Sequence, residues 1–340
     1  MKLVQTLLAT TAAVLLGAAV AHAQGLPLPA YKPLPQKEKI KITWAAKIAV
    51  WAPVYLGKVT GDFEKENLEV EYVPARSTDG MVLLSTGKVE LFVGGLSASI
   101  FNSVAEGGNI KIIAPSSLNP PESRQGVYVT KAFLAGRPYT PSMLKGQTIP
   151  TQVGLGSPIT AYLARELAKA GGTLRDVQLR QMNGPDMVVA LENGATNFAF
   201  LTDPFWLNLN KDKAEWLFLN EGEYSTGVYL AGPPLLGEKR AVGEAFVRVL
   251  ARMHRQYLQG KYMSNPVVTA AMTKEMEVPL ESLTRIPEHL FQPNLNLPTK
   301  MTSEMQEIFA STPNTLSYDK PLPYEKVIDP SFVAAALKGL

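Results

Sequence analysis

The residues best suited to chemistry in this chain are small and polar, and they stand where helices are predicted to begin. The stretch from Gly154 to Pro158 reads Gly-Leu-Gly-Ser-Pro. Glycines let backbone N–H groups approach a ligand, Ser157 is a good N-cap residue, and proline suits the first helical position. Because a helix N-terminus attracts anions, the stretch predicts an anion-binding turn, with a plain capped turn as the alternative. The G-x-G-x-x-G spacing of a dinucleotide site fails at Ile159.

A second polar helix start and two tryptophans extend this set of candidates. Ser77, Thr78 and Asp79 precede a predicted helix, where they either cap it or also contact a ligand. Trp51 and Trp206 stand in predicted loops, where each indole either stacks on a planar ligand or packs into the core. These residue types favour a ligand with a flat portion and a polar group.

The charged candidates are three cations and one carboxylate. Lys47, Arg76 and Arg124 can each pair with an anion or stand as ordinary surface charges. Asp203, followed by Pro204, either accepts an N–H from a ligand or caps its loop. The sequence therefore favours a small organic anion, such as an aromatic carboxylate or sulfonate, as the ligand.

The elements that must position these residues are the strands of parallel sheets. The chain alternates short apolar strands, such as Leu68 to Val73, with amphipathic helices, which predicts parallel sheets with right-handed crossovers. In such sheets ligands lie beyond the carboxyl ends of the strands. This rule selects the predicted ligand-binding residues, which are Lys47, Trp51, Arg76, Ser77, Thr78, Gly95, Leu96, Ser97, Ser117, Arg124, Gly154, Gly156, Ser157, Asn183, Thr202, Asp203 and Trp206.

The two halves of the chain repeat one pattern at a constant offset. A helix ends at Gly87 before an apolar run and a polar corner, and the same order returns 107 residues later from Gly194. Ile42 and Ile149, and likewise Tyr55 and Tyr162, are separated by the same 107 residues. The repeat predicts two similar α/β lobes with a crevice where their strand ends face each other.

The predicted fold class is α/β, with two Rossmann-like lobes joined by a two-strand hinge. Strands near Gly126 and Val228 are expected to cross between the lobes. The predicted boundaries are a signal peptide at 1–23, a Pro-rich tether at 24–37, lobe one at 38–125 and 232–340, and lobe two at 126–231. The helical tail is expected to cover the back of lobe one and to reach lobe two.

Composition excludes several classes of function. The 340 residues contain no cysteine, which removes disulfides, cysteine nucleophiles, cysteine metal ligands and a lipid-modified cysteine. There is no basic stripe, so nucleic acid is not an expected partner. His254 and His289 lack metal-ligand spacing, and no G-x-S-x-G elbow follows a strand. We expect neither a metal nor a cofactor, and we expect a monomer.

The first residues read as an export signal. Lys2 precedes an apolar stretch from Leu3 to Val20, and Ala21 to Ala23 forms an A-x-A cleavage site. A membrane anchor is the alternative, but the apolar stretch is short and ends in small residues. We expect cleavage after Ala23 and a mature protein in the periplasm.

Several ordered motifs carry a resemblance to a known family. Residues 52–63 read APVYLGKVTGDF, residues 66–71 read ENLEVE, and residues 85–95 read STGKVELFVGG. With LKGQTI at 144–149 and Asp203-Pro204-Phe205, this order resembles the NMT1/THI5-like solute-binding proteins over about residues 40 to 235. Gly57 stands where the family usually has Ala, and Asp203 where it has Glu.

The resemblance implies the type II periplasmic binding protein fold. It also implies a periplasmic receptor of an ABC importer, whose two lobes close on a small molecule and then dock on permease subunits. It does not name the ligand, because members of the family take nitrate, sulfonates, aromatic acids and pyrimidine precursors. One rival is an enzyme on the same fold, of the pyrimidine-precursor or menaquinone-precursor type. Another rival is a sensor subunit that presents its ligand to a kinase.

Overall fold

The computed structural model describes residues 25–44, 47–75, 77–152, 156–218, 227–312 and 314–340. The predicted signal peptide, Arg76 and Gly154 lie outside these residues. The strands are β1 Glu38–Thr43, β2 Leu68–Tyr72, β3 Leu91–Gly95, β4 Lys111–Pro115, β5 Gly126–Thr130, β6 Thr148–Thr151, β7 Gln178–Gln181, β8 Phe198–Leu201, β9 Ala214–Phe218 and β10 Gly227–Ala231. The helices are α1 Ala52–Val59, α2 Ser77–Ser85, α3 Ala98–Ala105, α4 Lys131–Leu134, α5 Ile159–Ala168, α6 Gly184–Glu192, α7 Pro233–Leu236, α8 Arg240–Gln256, α9 Pro266–Met276, α10 Leu280–Thr284, α11 Thr299–Ala310, α12 Tyr324–Val327 and α13 Ser331–Ala336.

The first sheet has the strand order β2-β1-β3-β10-β4. β1 runs parallel to β2 and β3, whereas β10 runs antiparallel between β3 and β4. The alternation in β1 fits this place, because Ile40 and Ile42 are fully buried while Lys39 pairs with Glu69 and Glu71 of the neighbouring strand. β1 thus buries its isoleucines and keeps its lysine paired at the surface.

The second half of the chain repeats this arrangement. It has a three-stranded sheet in the order β8-β5-β9, in which β5 runs antiparallel to both neighbours, and a parallel pair, β6 and β7. β6 lies beside β8, and we call these five strands together the second sheet. β5 therefore takes the place here that β10 takes in the first sheet. Each sheet receives its antiparallel strand from a segment that crosses over from the other half.

The repeat also fixes which helix faces point outward. Val82 on α2 and Val189 on α6 are separated by 107 residues, and they are 63% and 58% exposed. Two residues further on, Leu84 and Leu191 are both buried. The two helices therefore present the same face to water, as a duplicated half-molecule requires.

The helical tail packs on both halves of the molecule. α8 packs against α1, and Phe246 stacks on Phe63 with ring centroids 5.5 Å apart. α11 packs against α5, where Arg165 pairs with Glu304 at 2.6 Å. The tail thus covers the first sheet and reaches the second, as the sequence predicts.

The Pro-rich segment that precedes β1 is held against α8 by arginines. The guanidinium of Arg248 donates to Glu66 and to the carbonyl of Lys32, and Arg252 donates to the carbonyl of Pro29. Arg255 donates to the carbonyl of Pro27 at 2.8 Å. The segment has no regular secondary structure in its described part, and α8 fixes its path.

Several predicted helix boundaries need correction. The apolar spacing of Val54, Val59 and Phe63 predicts a helix from Pro53 to Glu66, but α1 ends at Val59. The chain turns at Gly61, which has φ +71°, and a separate 3-10 turn follows. α2 begins at Ser77, so the residues predicted to cap it form its first turn instead. Among the described residues, no helix combines the length and apolar character that a membrane span needs.

Candidate functional site

A cavity of about 670 Å³ lies where the strand ends of the two sheets meet. The first sheet contributes Lys47 to Trp51 after β1, and Ser116 and Ser117 after β4. The second contributes Gln152 after β6 and the segment around Thr202 and Asp203 after β8. Segments that follow strands thus supply much of the wall, which is where ligands bind in open α/β sheets.

Aromatic side chains form the apolar walls of the cavity. Trp51 is almost fully buried and meets Tyr229 edge-on at 5.9 Å. Tyr162 of α5 stacks on Phe200 of β8, with ring planes 13° apart. Trp51, Tyr162 and Phe200 all line the cavity, so its walls suit a flat apolar body.

Phe205 adds another aromatic wall, and a glycine makes room for it. A Cβ on Gly184, at the start of α6, would lie 2.4 Å from the ring of Phe205. No side chain can occupy that position without displacing the ring. Gly184 therefore lets the ring of Phe205 lie against the start of α6.

Two buried polar groups in the cavity wall have no partner. The hydroxyl of Ser117 and the Nδ1 of His289 make no hydrogen bond within the described structure. Burial lowers the pKa of His289 to about 4, so its ring is neutral at neutral pH. By contrast, the adjacent hydroxyl of Ser116 donates to the carbonyl of Val50 at 2.8 Å. Buried polar atoms without partners are uncommon and point to a missing ligand or water.

His289 reaches the cavity through a contact between distant segments. The N–H of Leu118 donates to the carbonyl of Leu290 at 2.9 Å, and the N–H of Leu290 donates back at 3.0 Å. This bridge pins the tail beside the loop that follows β4. Other tail residues, including Met276, also line the cavity.

Asp203 is the carboxyl group in the cavity wall beyond β8. Its Oδ1 accepts a hydrogen bond from the indole N–H of Trp206. Burial raises the pKa of Asp203 to about 6, and the Trp206 hydrogen bond opposes that shift. The hydroxyl of neighbouring Thr202 donates to the side-chain oxygen of Gln152, so those two groups satisfy each other.

Lys47 is the cation of the cavity wall, and it lies at the rim. Its ammonium bonds Glu277, which follows α9, and this bond raises the pKa of Lys47. An ammonium has three N–H donors, so pairing with one carboxylate leaves others for a ligand. The pair also ties the loop after β1 to the tail.

The structure brings six of the predicted ligand-binding residues to the cavity. These are Lys47, Trp51, Gly95, Ser117, Thr202 and Asp203. Arg76 and Gly154 lie outside the described residues, and Ser77 and Thr78 are described only as the backbone of the first turn of α2. The remaining predicted residues do not line the cavity.

Three of the remaining residues lie at a contact between the two halves. The N–H of Ala98, the first residue of α3, donates to the carbonyl of Gly156 at 2.9 Å. The hydroxyl of Ser97 pairs with Ser99 at 2.8 Å, and Leu96 is fully buried in the core. The hydrogen bond between Ala98 and Gly156 thus joins the two halves outside the cavity wall.

Ser157 and Asn183 differ in their capping roles. The helix start at Pro158 has no side-chain cap, so the prediction that Ser157 caps α5 is wrong. The buried hydroxyl of Ser157 has no hydrogen-bond partner among the described residues. Asn183 does cap α6, because its side-chain oxygen accepts from the N–H of Asp186 at 2.9 Å.

Arg124 and Trp206 act on neighbouring groups. The guanidinium of Arg124 donates to the carbonyls of Pro121 and Ser123 and lies 4.7 Å from the ring centre of Trp216. Trp206 holds Asp203 through its indole N–H. Neither residue is among those that line the cavity.

Sequence reasoning missed the amides and the tail residues of the cavity. Asn119, Gln125 and Gln152 line it, but an isolated amide carries no recognisable spacing signal. The tail contributes Ser282 and His289 from far along the chain. Tyr162 did carry a signal, since it pairs with Tyr55 in the 107-residue repeat.

The sequence profile described as NMT1/THI5 like matches residues 49–257, which is more than half of the chain and includes most of the cavity wall. This chain belongs to the NMT1/THI5-like family. Among curated proteins, none matches it.

Solved structures that resemble this NMT1/THI5-like chain show its fold. The periplasmic sulfonate-binding protein SsuA of Methylobacillus flagellatus KT has a TM-score of 0.67 at 15% identity, over 89% of this chain and 95% of that one. The periplasmic nitrate-binding protein NrtA of Synechocystis PCC 6803 has a TM-score of 0.66 at 13% identity, over 91% and 90%. This chain therefore has the type II periplasmic binding protein fold, with two Rossmann-like α/β lobes joined by two crossing strands.

An enzyme shares the same architecture. The desulfurization enzyme DSZB has a TM-score of 0.60 at 13% identity, over 88% of this chain and 99% of that one. The fold thus serves both solute capture and catalysis, and the function must be argued from the cavity.

Proposed function

We propose that this chain is the solute-binding protein of an ABC importer, and that it captures a small organic molecule between its two lobes. The observation that carries the proposal is the cavity of about 670 Å³ at the facing strand ends, with the unpartnered hydroxyl of Ser117 in its wall. The cavity has the size of small-molecule sites, and its wall is mainly apolar with a few polar groups.

The ligand in this proposal is an organic acid with a flat body, such as an aromatic carboxylate or sulfonate. Trp51, Tyr162 and Phe200 supply walls for the flat body. The hydroxyl of Ser117 and the ammonium of Lys47 supply donors for the anionic group on the side of lobe one. Hydrogen bonds from donors to an ionised acceptor are the stronger class, which suits capture of a dilute anion.

Capture requires the lobes to move as separate bodies. We take lobe one as residues 38–125 and 232–340 and lobe two as 126–231, with the hinge where β5 and β10 cross between the sheets. The bond from Ala98 to Gly156 then belongs to the closed form. The closed monomer would present its ligand to permease subunits at the inner membrane, without a cofactor and after export to the periplasm.

The test is a binding panel on the purified mature chain. Benzoate, benzenesulfonate, alkanesulfonates and nitrate are compared by the rise in melting temperature and by calorimetry. The proposal expects at least one flat acid to bind, and expects Trp51→Ala to weaken that binding. A panel in which every compound leaves the melting temperature unchanged, with no co-purified small molecule, would contradict it.

The alternative is an enzyme on this fold, which the likeness to DSZB favours. The same panel decides between them, because each bound compound can be recovered after incubation and analysed by mass spectrometry. The solute-binding proposal expects every compound to be recovered unchanged. Release of sulfite or any new product from a bound compound would favour the enzyme.

A further inference from the structure

The carboxyl group of half-buried Asp203 differs from the fully buried acids of the described chain. The buried carboxylate of Glu66 pairs with Arg248 at 2.7 Å, and that of Asp62 pairs with Arg252 at 3.3 Å. Asp203 lines the cavity and forms no ion pair within the described residues. Its hydrogen-bond donor in that part of the chain is the indole N–H of Trp206, which is neutral.

The neighbouring donors are already engaged. Thr202 gives its hydroxyl proton to Gln152, and the hydroxyl of Tyr128 donates to the carbonyl of Arg124 at 2.7 Å. A carboxylate has about four acceptor positions, and Trp206 fills one of them. The carboxyl group of Asp203 therefore faces the cavity with unused acceptor capacity.

Asp203 stands on the lobe-two side of the cavity, whereas Ser117 and Lys47 stand on the lobe-one side. A ligand whose only polar groups are acceptors can satisfy the donors of lobe one. It would, however, place an acceptor or an apolar edge against the carboxyl group of Asp203. An acceptor opposite a carboxylate is repulsive, and an apolar edge leaves the carboxyl group desolvated without a partner. A donor on the far edge of the ligand removes both costs.

We propose that the ligand is a flat organic acid that carries an N–H donor on the edge opposite its anionic group, and that Asp203 binds this N–H. The inference rests on the proposed function and narrows its ligand class. The two lobes then bind opposite edges of one molecule. Lobe one binds the acid group, and lobe two binds the N–H. Closure would bring both contacts together.

The test uses two matched pairs of probes that differ only in the donor. 4-Aminobenzenesulfonate is compared with 4-methylbenzenesulfonate, and 4-aminobenzoate with 4-methylbenzoate, by calorimetry at pH 7. Amino and methyl groups have similar sizes, so the comparison isolates the N–H. We expect at least one amino compound to bind about tenfold more tightly than its methyl partner, because the methyl group leaves a buried acceptor unpaired.

The variant Asp203→Asn keeps the shape and removes the charge. We expect the amino-over-methyl preference to fall below about threefold in this variant, because the acceptor is no longer ionised. Asp212→Asn, an exposed carboxylate outside the cavity, is the matched control and should keep the preference.

The preference for the amino compound over its methyl partner should also increase with pH. Because the pKa of Asp203 is about 6, the preference should rise between pH 5 and pH 7 as the carboxyl group ionises. The protonation states of the other titratable groups near Asp203 do not change in that range. The pKa of His289 is about 4, the pKa of Lys47 is raised by Glu277, and the pKa of Tyr128 is raised by burial.

Two results would overturn the inference in distinguishable ways. If the methyl compounds bind as tightly as the amino compounds, the N–H contact is absent while the proposed function stands. If no member of either pair binds the protein, the proposed ligand class falls together with the inference. A preference that survives unchanged in Asp203→Asn would assign the N–H to another residue and would also overturn it.

Discussion

At the scale of single residues, the cavity is defined by polar groups that lack partners. The hydroxyl of Ser116 is used by the protein, whereas the hydroxyl of Ser117, the next residue, is not. Asp203 likewise keeps acceptor capacity that the described residues do not fill. A folded chain rarely retains such groups without a role, so they identify where a ligand contributes.

The two serines allow a matched pair of substitutions. Ser116→Ala removes a formed hydrogen bond, so the free energy of unfolding should fall by about 1 kcal/mol, and ligand binding should weaken less than in Ser117→Ala. Ser117→Ala removes an unpartnered hydroxyl, so stability should not fall, whereas acid binding should weaken by about tenfold. Urea unfolding and calorimetry check both. Equal effects of the two variants on binding would count against the assignment of Ser117.

Asp203 should also make the stability of the ligand-free protein depend on pH. Its pKa rises from 3.8 in the unfolded chain to about 6 in the folded protein, so the folded state binds more protons between these values. Its ionisation therefore destabilises the fold as the pH rises through 4 to 6. Asp203→Asn should raise the free energy of unfolding at pH 8 by about 1 to 2 kcal/mol, and much less at pH 4. Urea titrations at both pH values check this, and an equal gain at pH 4 would refute it.

At the scale of elements, the order of strands and helices was predictable because it follows from apolar periodicity. β2 lies where the sequence predicts a strand from Leu68 to Val73, and β3 and β8 follow Gly87 and Gly194 as the repeat predicts. The capping of α5 was not predictable, because Ser157 has the right type but its hydroxyl does not reach a backbone donor. The approach of the tail to the cavity was also not predictable, because it depends on the long-range bridge between Leu118 and Leu290.

The segment before β1 should contribute to stability through α8. Arg248 pairs with fully buried Glu66, so Arg248→Leu leaves a buried carboxylate without its cation. We expect the free energy of unfolding to fall by about 3 kcal/mol or more. Lys39→Leu removes an exposed ion pair with Glu69 and serves as the control, with a change of about 1 kcal/mol or less. Similar losses in both variants would contradict the structural role of Arg248.

At the scale of the whole molecule, the duplication explains both the fold and the place of the cavity. Two half-molecules of the same topology exchange β5 and β10, and their strand ends face each other across one crevice. The 107-residue repeat made this architecture predictable. The contact between Ala98 and Gly156 was not predictable, because it depends on how the halves approach.

That contact gives a test of closure. A Cβ on Gly156 would already lie 3.3 Å from the Cβ of Ala98, so Gly156→Leu should hold the lobes apart. We expect ligand affinity to fall by about tenfold or more, and we expect the decrease in radius of gyration on ligand addition to disappear from small-angle scattering. Ala195→Leu, at an exposed position, should preserve both. Full closure of Gly156→Leu with ligand would show that the contact does not belong to the closed state.

The central claim is that the cavity between the lobes captures a small organic acid without altering it. Native mass spectrometry of the protein, purified from the cells that produce it, tests this most directly. The account predicts a non-covalent adduct of one small acid per chain, which is lost on unfolding and recovered chemically unchanged. A protein that carries only its bare mass in every preparation, or an adduct that the protein converts into a different compound, would contradict the account.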